Sequence, residues 1–241
     1  MTAAMPTASV DEVERGIYRI SVAAPNAGPA GFTFNQFLIV DDRPLLFHTG
    51  HRKLFPVVRA AIERVLPVAA LRYVAFSHVE ADECGALNEF LAAAPGAEAV
   101  CSGTAARTSI SDATDRPPKA MKDGETLSLG RREMRWYDAP HVPHGWECGY
   151  MAETTSKTLF CGDLFTQGGI DHPPVTEGDI LTPSEALRSR LEYYAHAKNT
   201  RAILGRLAAD KPTSLACMHG SVWRGDGAAL LGKLADALER S

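Results

Sequence analysis

Four short segments of this 241-residue chain carry side chains able to hold a metal ion. His78-Val79-Glu80-Ala81-Asp82-Glu83 sets one imidazole and three carboxylates directly after the apolar run LRYVAFS. Acids this crowded repel one another unless solvent, a proton or a cation intervenes. A solvated acidic helix N-terminus would also explain that segment on its own. The later segments shift the balance. Asp138-Ala139-Pro140-His141-Val142-Pro143-His144 follows one strand-like run, Gly162-Asp163 follows another, and His219-Gly220 closes a third. Each alone has a dull explanation, as a cap or a strand-end His bonded to a carbonyl. Together they make a metal site the favoured reading, because strand ends are rigid places from which to project ligands. Glu80, Asp82 and Asp163 nearly cancel the charge of two divalent ions, and carboxylates favour iron or manganese over zinc.

Hydrophobic periodicity predicts the elements that position these residues. Strands are expected over Gly16–Val22 and FTFNQFLIV, then a short LLF ending in His48-Thr49-Gly50. Leu54, Val57, Val58, Ala61, Ile62 and Val65 recur at helical spacing, and Leu66-Pro67 closes that helix. LRYVAFS reads as a strand, Ala86–Ala94 as a helix, AEAVCS as a strand and Thr104–Ser109 as a short helix. SDATDRPPKAMKDGE reads as a surface loop. ETLSL, REMRWYDA, CGYMAET and TLFCG follow as strands, residues 184–208 as mostly helical, SLACM as a buried strand and Gly227–Glu239 as an amphipathic helix. Residues 1–10 read as a loose arm on a single domain spanning 1–241. Strands in both halves, each set followed by helices, predict two sheets between outer helical layers.

Composition narrows the function. With 25 Lys+Arg against 29 Asp+Glu the net charge is −4, and no basic block is visible, which argues against nucleic acid or an anionic membrane as partner. No apolar run approaches the roughly 20 residues that span a bilayer. MTAAMPTASV lacks both a basic and an apolar leader region, so no signal peptide is expected. Cys84, Cys101, Cys148, Cys161 and Cys217 are scattered without any CxxC, which argues against a disulfide framework and for a reducing cytoplasm. No Gly-rich phosphate loop, flavodoxin-like segment or rubredoxin-like Cys pair is visible in these residues.

From about Gly16 to Gly220 the chain resembles the metallo-β-lactamase superfamily. The usual first motif there, His-x-His-x-Asp-His, serves dizinc hydrolases. Here it reads His78-x-Glu80-x-Asp82-Glu83, and Glu at the third place looks like the flavodiiron branch and the oxygen-binding diiron proteins. His141, Asp163 and His219 match the later motifs. The resemblance implies an α/β fold, a four-layer αββα sandwich, and two iron ions, with manganese or zinc as alternatives. His78, Glu80 and His141 would hold one ion, Asp82 and His219 the other, and Asp163 would bridge them. It implies a non-haem diiron protein that binds O2 or NO. Reduction with electrons from a separate partner, and oxygen sensing, both stay open. The alternative is a dinuclear hydrolase of an ester, thioester or phosphodiester using a bridging hydroxide. Glu80 discriminates, since a hydrolytic zinc site is expected to carry His there. Catalytic residues and the oligomer, including a homodimer, stay open.

Two departures stand out. Glu83 replaces the motif's last His and is read as a ligand, an outer acid or a solvated one. His48 replaces the Asp of the superfamily's Asp-Thr-Gly, normally an outer partner of the metal site. His144 competes with His141, and the Pro spacing favours His141. Cys161 and Cys217 stand two residues before proposed ligands and are read as core filling beneath the site. His51 and His172 are read as loop residues, and Tyr193-Tyr194 as packing residues on a helix.

Overall fold

Alternation of inward and outward side chains builds two facing sheets, and the computed structural model describes residues 6–240. The first sheet runs in chain order through β1 (Ala8–Glu14), β2 (Ile17–Ala24), β3 (Phe32–Ile39), β4 (Leu45–Phe47), β5 (Tyr73–Ala75), β6 (Glu98–Ser102) and β7 (Lys119–Met121). Pairing is antiparallel from β1 to β4 and parallel from β4 to β7. The second sheet comprises β8 (Thr126–Ser128), β9 (Glu133–Asp138), β10 (Gly149–Glu153), β11 (Thr158–Gly162), β12 (Val175–Thr176), β13 (Ser214–Cys217) and β14 (Val222–Arg224). Its spatial order is β12-β14-β13-β11-β10-β9-β8, with β11 and β13 parallel.

Three apolar layers hold this arrangement. Between the sheets lie Ile17, Phe37, Phe47, Trp136, Met151 and Phe160, with Phe160 packed on Phe37 and Phe47 at ring-centroid distances of 5.5 and 5.4 Å. Burial of each such side chain is worth about 1.5–3 kcal/mol. Outside the first sheet, α1 (Phe55–Ile62), α3 (Leu87–Ala93) and the helical run from α4 (Gly103–Ala105) to α5 (Ser111–Ala113) cover Ile20, Leu38, Leu46, Val74 and Phe76. Outside the second, α6 (Leu181–Leu191), α7 (Thr200–Ala209) and α8 (Gly227–Glu239) cover Tyr150, Leu159, Leu215, Cys161 and Cys217. Asp226 caps α8 by accepting from the Ala229 N–H at 3.0 Å, and Leu230, Leu231, Leu234 and Leu238 form its buried face. The result is the expected αββα sandwich.

Three expectations need correction. Residues 8–10 are not part of a loose arm: Ala8, Ser9 and Val10 pair with Val22, Ser21 and Ile20, so sheet pairing overrides their weak local preference. Residues 1–5 of that arm lie outside the described residues. The helix expected over residues 184–208 is two helices, because Glu192 adopts φ +47° and ends α6, and residues 192–199 are not helical. The polar loop before ETLSL contains β7, whose Lys119–Met121 pair with β6.

Candidate metal centre

Because β4 and β5 run parallel in one sheet and β11 and β13 in the other, their C-terminal ends carry a ring of side chains at one rim of the sandwich. His48 follows β4 directly, His78 lies just beyond β5, Asp163 follows β11 and His219 lies just beyond β13. His144 comes from the turn joining β9 to β10. After His78 the chain enters α2 (Ala81–Cys84), a single turn with Glu80 extended ahead of it. That loop is held in place from two sides. The Val79 N–H donates to Glu147 Oε1 at 3.0 Å, and the Thr49 N–H donates to the Glu83 carbonyl at 2.7 Å.

Metal-competent atoms converge in two groups: His78, Glu80, His144 and Asp163, and then Asp82, Glu83 and His219, the atoms of each lying within 4.8 Å of one another. Asp163 faces both. Its Oδ2 lies 3.4 Å from His78 Nε2 and 3.6 Å from His144 Nε2, while Oδ1 lies 3.4 Å from His219 Nε2. Asp82 is 3.5 Å from His219 Nε2, and Glu83 is 4.0 Å from His78 Nε2.

Each imidazole is anchored through its outer nitrogen. His144 Nδ1 bonds the Tyr193 carbonyl at 2.8 Å, and His219 Nδ1 bonds the Thr33 carbonyl at 2.9 Å. A carbonyl only accepts, so both Nδ1 atoms carry a proton and both Nε2 atoms face the cluster. Phe32 and Phe34 stand edge-on to the His219 ring at 5.4 and 5.5 Å, which restricts its rotation. His78 Nδ1 lies 2.9 Å from Ser77 Oγ.

Electrostatics call for a cation here. Glu83 is fully buried, and neither of its oxygens has a hydrogen-bond partner; Asp163 Oδ1 is in the same state. Burial, reinforced by the Asp163 charge, pushes Glu83 well above the carboxylate range. Burial opposes a charge on Asp163 too, yet His219, His78 and His144 pull its carboxyl below the ordinary value. His144 and His78 hold Glu80 down at about 2. Burial opposes charge on His78, but Glu83, Cys148, Glu80 and Asp163 raise it well above the ordinary imidazole value. His78 Nε2 and His144 Nε2 approach to 2.9 Å, a contact that two lone pairs tolerate only with a shared cation or proton. Buried unpaired carboxylates are expensive unless they are paired or coordinate a metal. The four carboxylates and three imidazoles of the two groups therefore fit a pair of divalent, oxygen- and nitrogen-ligated ions.

Of the residues singled out from the sequence, the structure brings together His78, Glu80, Asp82, Asp163 and His219. It does not bring His141. That residue is exposed at φ +65°, its N–H donating to the Gly145 carbonyl, and this turn carries His144 inward instead. Sequence spacing to Pro could not show which way the turn folds. Glu83 belongs inside the cluster, and its signal was present: a third acid within four positions. The sequence predicts Tyr193 as a packing residue on a helix; in the structure it lies beyond the end of α6, its carbonyl anchors His144, and its hydroxyl donates to the Asp163 carbonyl at 3.4 Å. Cys161 and Cys217 lie buried beneath the rim with Sγ atoms 3.8 Å apart.

A metallo-β-lactamase-like sandwich with a carboxylate-rich rim defines the class of protein. The ODP family beta lactamase model matches residues 32–220, and the chain belongs to that family. It is 28% identical over 209 residues to the rubredoxin-oxygen oxidoreductase of Megalodesulfovibrio gigas, covering 82% of this chain and 50% of the relative. It is 27% identical over 208 residues to an anaerobic nitric oxide reductase flavorubredoxin of Salmonella arizonae, covering 80% of this chain and 42% of the relative. The chain thus spans about half the length of the curated relatives it matches. Among solved structures, a fragment of putative diflavin flavoprotein A 5 from Nostoc superposes with TM-score 0.85 at 17% identity, covering 98% of this chain and 96% of that one. The flavodiiron core of Flv1 from Synechocystis superposes with TM-score 0.80 at 22% identity, covering 97% and 61%. These superpositions establish the shared fold. No helix among the described residues is long and apolar enough to cross a membrane.

Proposed function

We propose that this chain holds two iron ions at the rim and uses them to bind and reduce O2 or NO, with electrons delivered by a separate partner. His78, Glu80 and His144 would hold one ion, Asp82, Glu83 and His219 the other, with Asp163 between them. The observation that carries this reading is the donor set: four carboxylates against three imidazoles, with Glu80 where a hydrolytic zinc site is expected to carry His. Relatives named as oxygen and nitric oxide reductases support the same chemistry. When bound, the iron pair supplies one-electron redox steps at two adjacent centres. The chain's own residues do the rest. Tyr193 and Thr33 carbonyls fix two imidazoles with their lone pairs inward, Phe32 and Phe34 shield His219 from solvent, and Thr49 and Glu147 lock the acid-bearing loop.

Metal analysis of tag-free protein prepared without added zinc tests the proposal. About two irons per chain, a coloured protein in air and O2 or NO consumption on chemical reduction are expected. Colourless protein fully loaded with zinc, inert to reductant and turning over an ester, thioester or phosphodiester, would replace this reading with the hydrolase.

A further inference from the structure

His48 is buried and sits at φ +66°, a left-handed conformation that a non-glycine residue keeps only where its surroundings hold it. Both of its ring nitrogens are engaged. Nδ1 lies 3.0 Å from Met218 Sδ, Nε2 lies 3.0 Å from Ser77 Oγ, and the same Oγ lies 2.9 Å from His78 Nδ1. The donor at each contact follows from one end of this chain. A thioether has no proton to give, so His48 Nδ1–H donates to Met218. Burial pushes His48 down to about 3, so the ring is neutral and its Nε2 can only accept. Ser77 O–H therefore donates to His48, which uses the one proton the hydroxyl has. Towards His78 the Ser77 oxygen can then only accept, so His78 Nδ1 carries a proton and Nε2 is the nitrogen left to face the cluster. Gly162 leaves the room this needs, since a Cβ there would lie 3.0 Å from Ser77 Oγ.

We propose that Met218, His48 and Ser77 form a one-directional hydrogen-bond relay that fixes the tautomer of His78 and keeps its Nε2 available to a metal ion. His48 is thus a positioning residue acting through Ser77. A carboxylate at the end of such a chain would pull on the proton and strengthen the imidazole as a donor. The thioether pulls weakly, so His78 remains a plain neutral ligand and charge compensation is left to the four carboxylates. This inference rests on the reading that His78 binds metal.

The test uses the full chain with 15N-labelled histidine, loaded with zinc as a diamagnetic probe. Nitrogen-detected tautomer patterns should show His48 and His78 both protonated at Nδ1 and not at Nε2. Ser77→Ala should weaken zinc binding 10–100-fold, the range for losing an outer partner of a ligating His. Met218→Leu conserves core volume, yet it should mix the His48 tautomers and weaken zinc binding by a smaller factor, an effect that packing alone would not produce. The relay is overturned if His48 carries its proton on Nε2, or if neither variant moves the His78 pattern or the zinc affinity. If the chain takes up no metal, the metal reading fails, and the relay is still judged from the His48 tautomer in metal-free protein.

Discussion

Replacing Glu83 with Gln denies a bound cation the negative charge that the most deeply buried carboxylate of the cluster can supply, while keeping its shape. Glu83 has no exposed surface, no hydrogen-bond partner, and an oxygen 4.0 Å from His78 Nε2. A pair of unit charges at about 4 Å interacts by about 4 kcal/mol at an effective dielectric of about 20. The amide keeps its carbonyl dipole, and the raised Glu83 carboxyl must release a proton before it can bind a cation, so the expected loss of metal binding is a fraction of that, about 1.4 kcal/mol or roughly tenfold in affinity. The Glu80 side chain is 49% exposed, so solvent screens its charge, and Glu80→Gln should weaken binding only several-fold. The order is informative because Glu80 holds a motif position and Glu83 departs from one. Chelator-competition titration of metal-free protein with zinc or ferrous iron measures both affinities, with circular dichroism checking that the fold persists. A Glu83→Gln protein within threefold of wild type, alongside a Glu80→Gln protein that binds far worse, would refute the argument that burial ranks these acids.

The same titration should separate the two histidines of the β9–β10 turn: His144→Ala should lose most of the metal at stoichiometric loading, and His141→Ala should match wild type. Glu80→His exchanges a hard anionic donor for a neutral one and should raise the zinc-to-iron ratio measured by metal analysis after growth with both metals; an unchanged ratio would remove Glu80 from the ligand set. Away from the site, burial opposes charge on Asp41, but the Arg132 backbone N–H at 2.7 Å and the Arg131 guanidinium outweigh it and hold the carboxyl below its usual value. Its contribution is therefore complete above the unfolded pKa and fades as pH falls through the folded one. Asp41→Asn should cost about 1–2 kcal/mol at neutral pH in denaturant melts, and the gap between variant and wild type should close towards pH 3.

Much of the sandwich could be read from the chain because its buried strands and amphipathic helices repeat with clear periods. α8 spans Gly227–Glu239 in the structure, the bounds that its amphipathic pattern predicts. β1 and β7 escaped because their small or charged residues carry little propensity and become strands only through neighbours distant in sequence. The site divides along similar lines. His78, Asp163 and His219 each follow an apolar strand, so residue order alone sets them at one rim. His144 depends on how a short Pro-rich turn folds, and its ring is anchored by the Tyr193 carbonyl, 49 residues away in the chain. Ser77 and Met218 show no signal at all in sequence, since a serine before a histidine and an apolar strand residue are both commonplace.

The rim draws His78, Glu80, Asp82 and Glu83 from the first sheet and His144, Asp163 and His219 from the second. An ion shared by the two groups would act as a clasp, adding to the side-chain packing and the hydrogen bonds, such as Asn35 N–H to the Met218 carbonyl, that already join the two halves. Its grip would close a very long loop of chain, and its binding energy would count toward holding the sheets together. At a free metal concentration a thousandfold above the dissociation constant that linkage is worth about 4 kcal/mol, a large share of the 5–15 kcal/mol that keeps a typical domain folded. Metal supply would then bear on how long the protein stays folded as well as on what the rim can do.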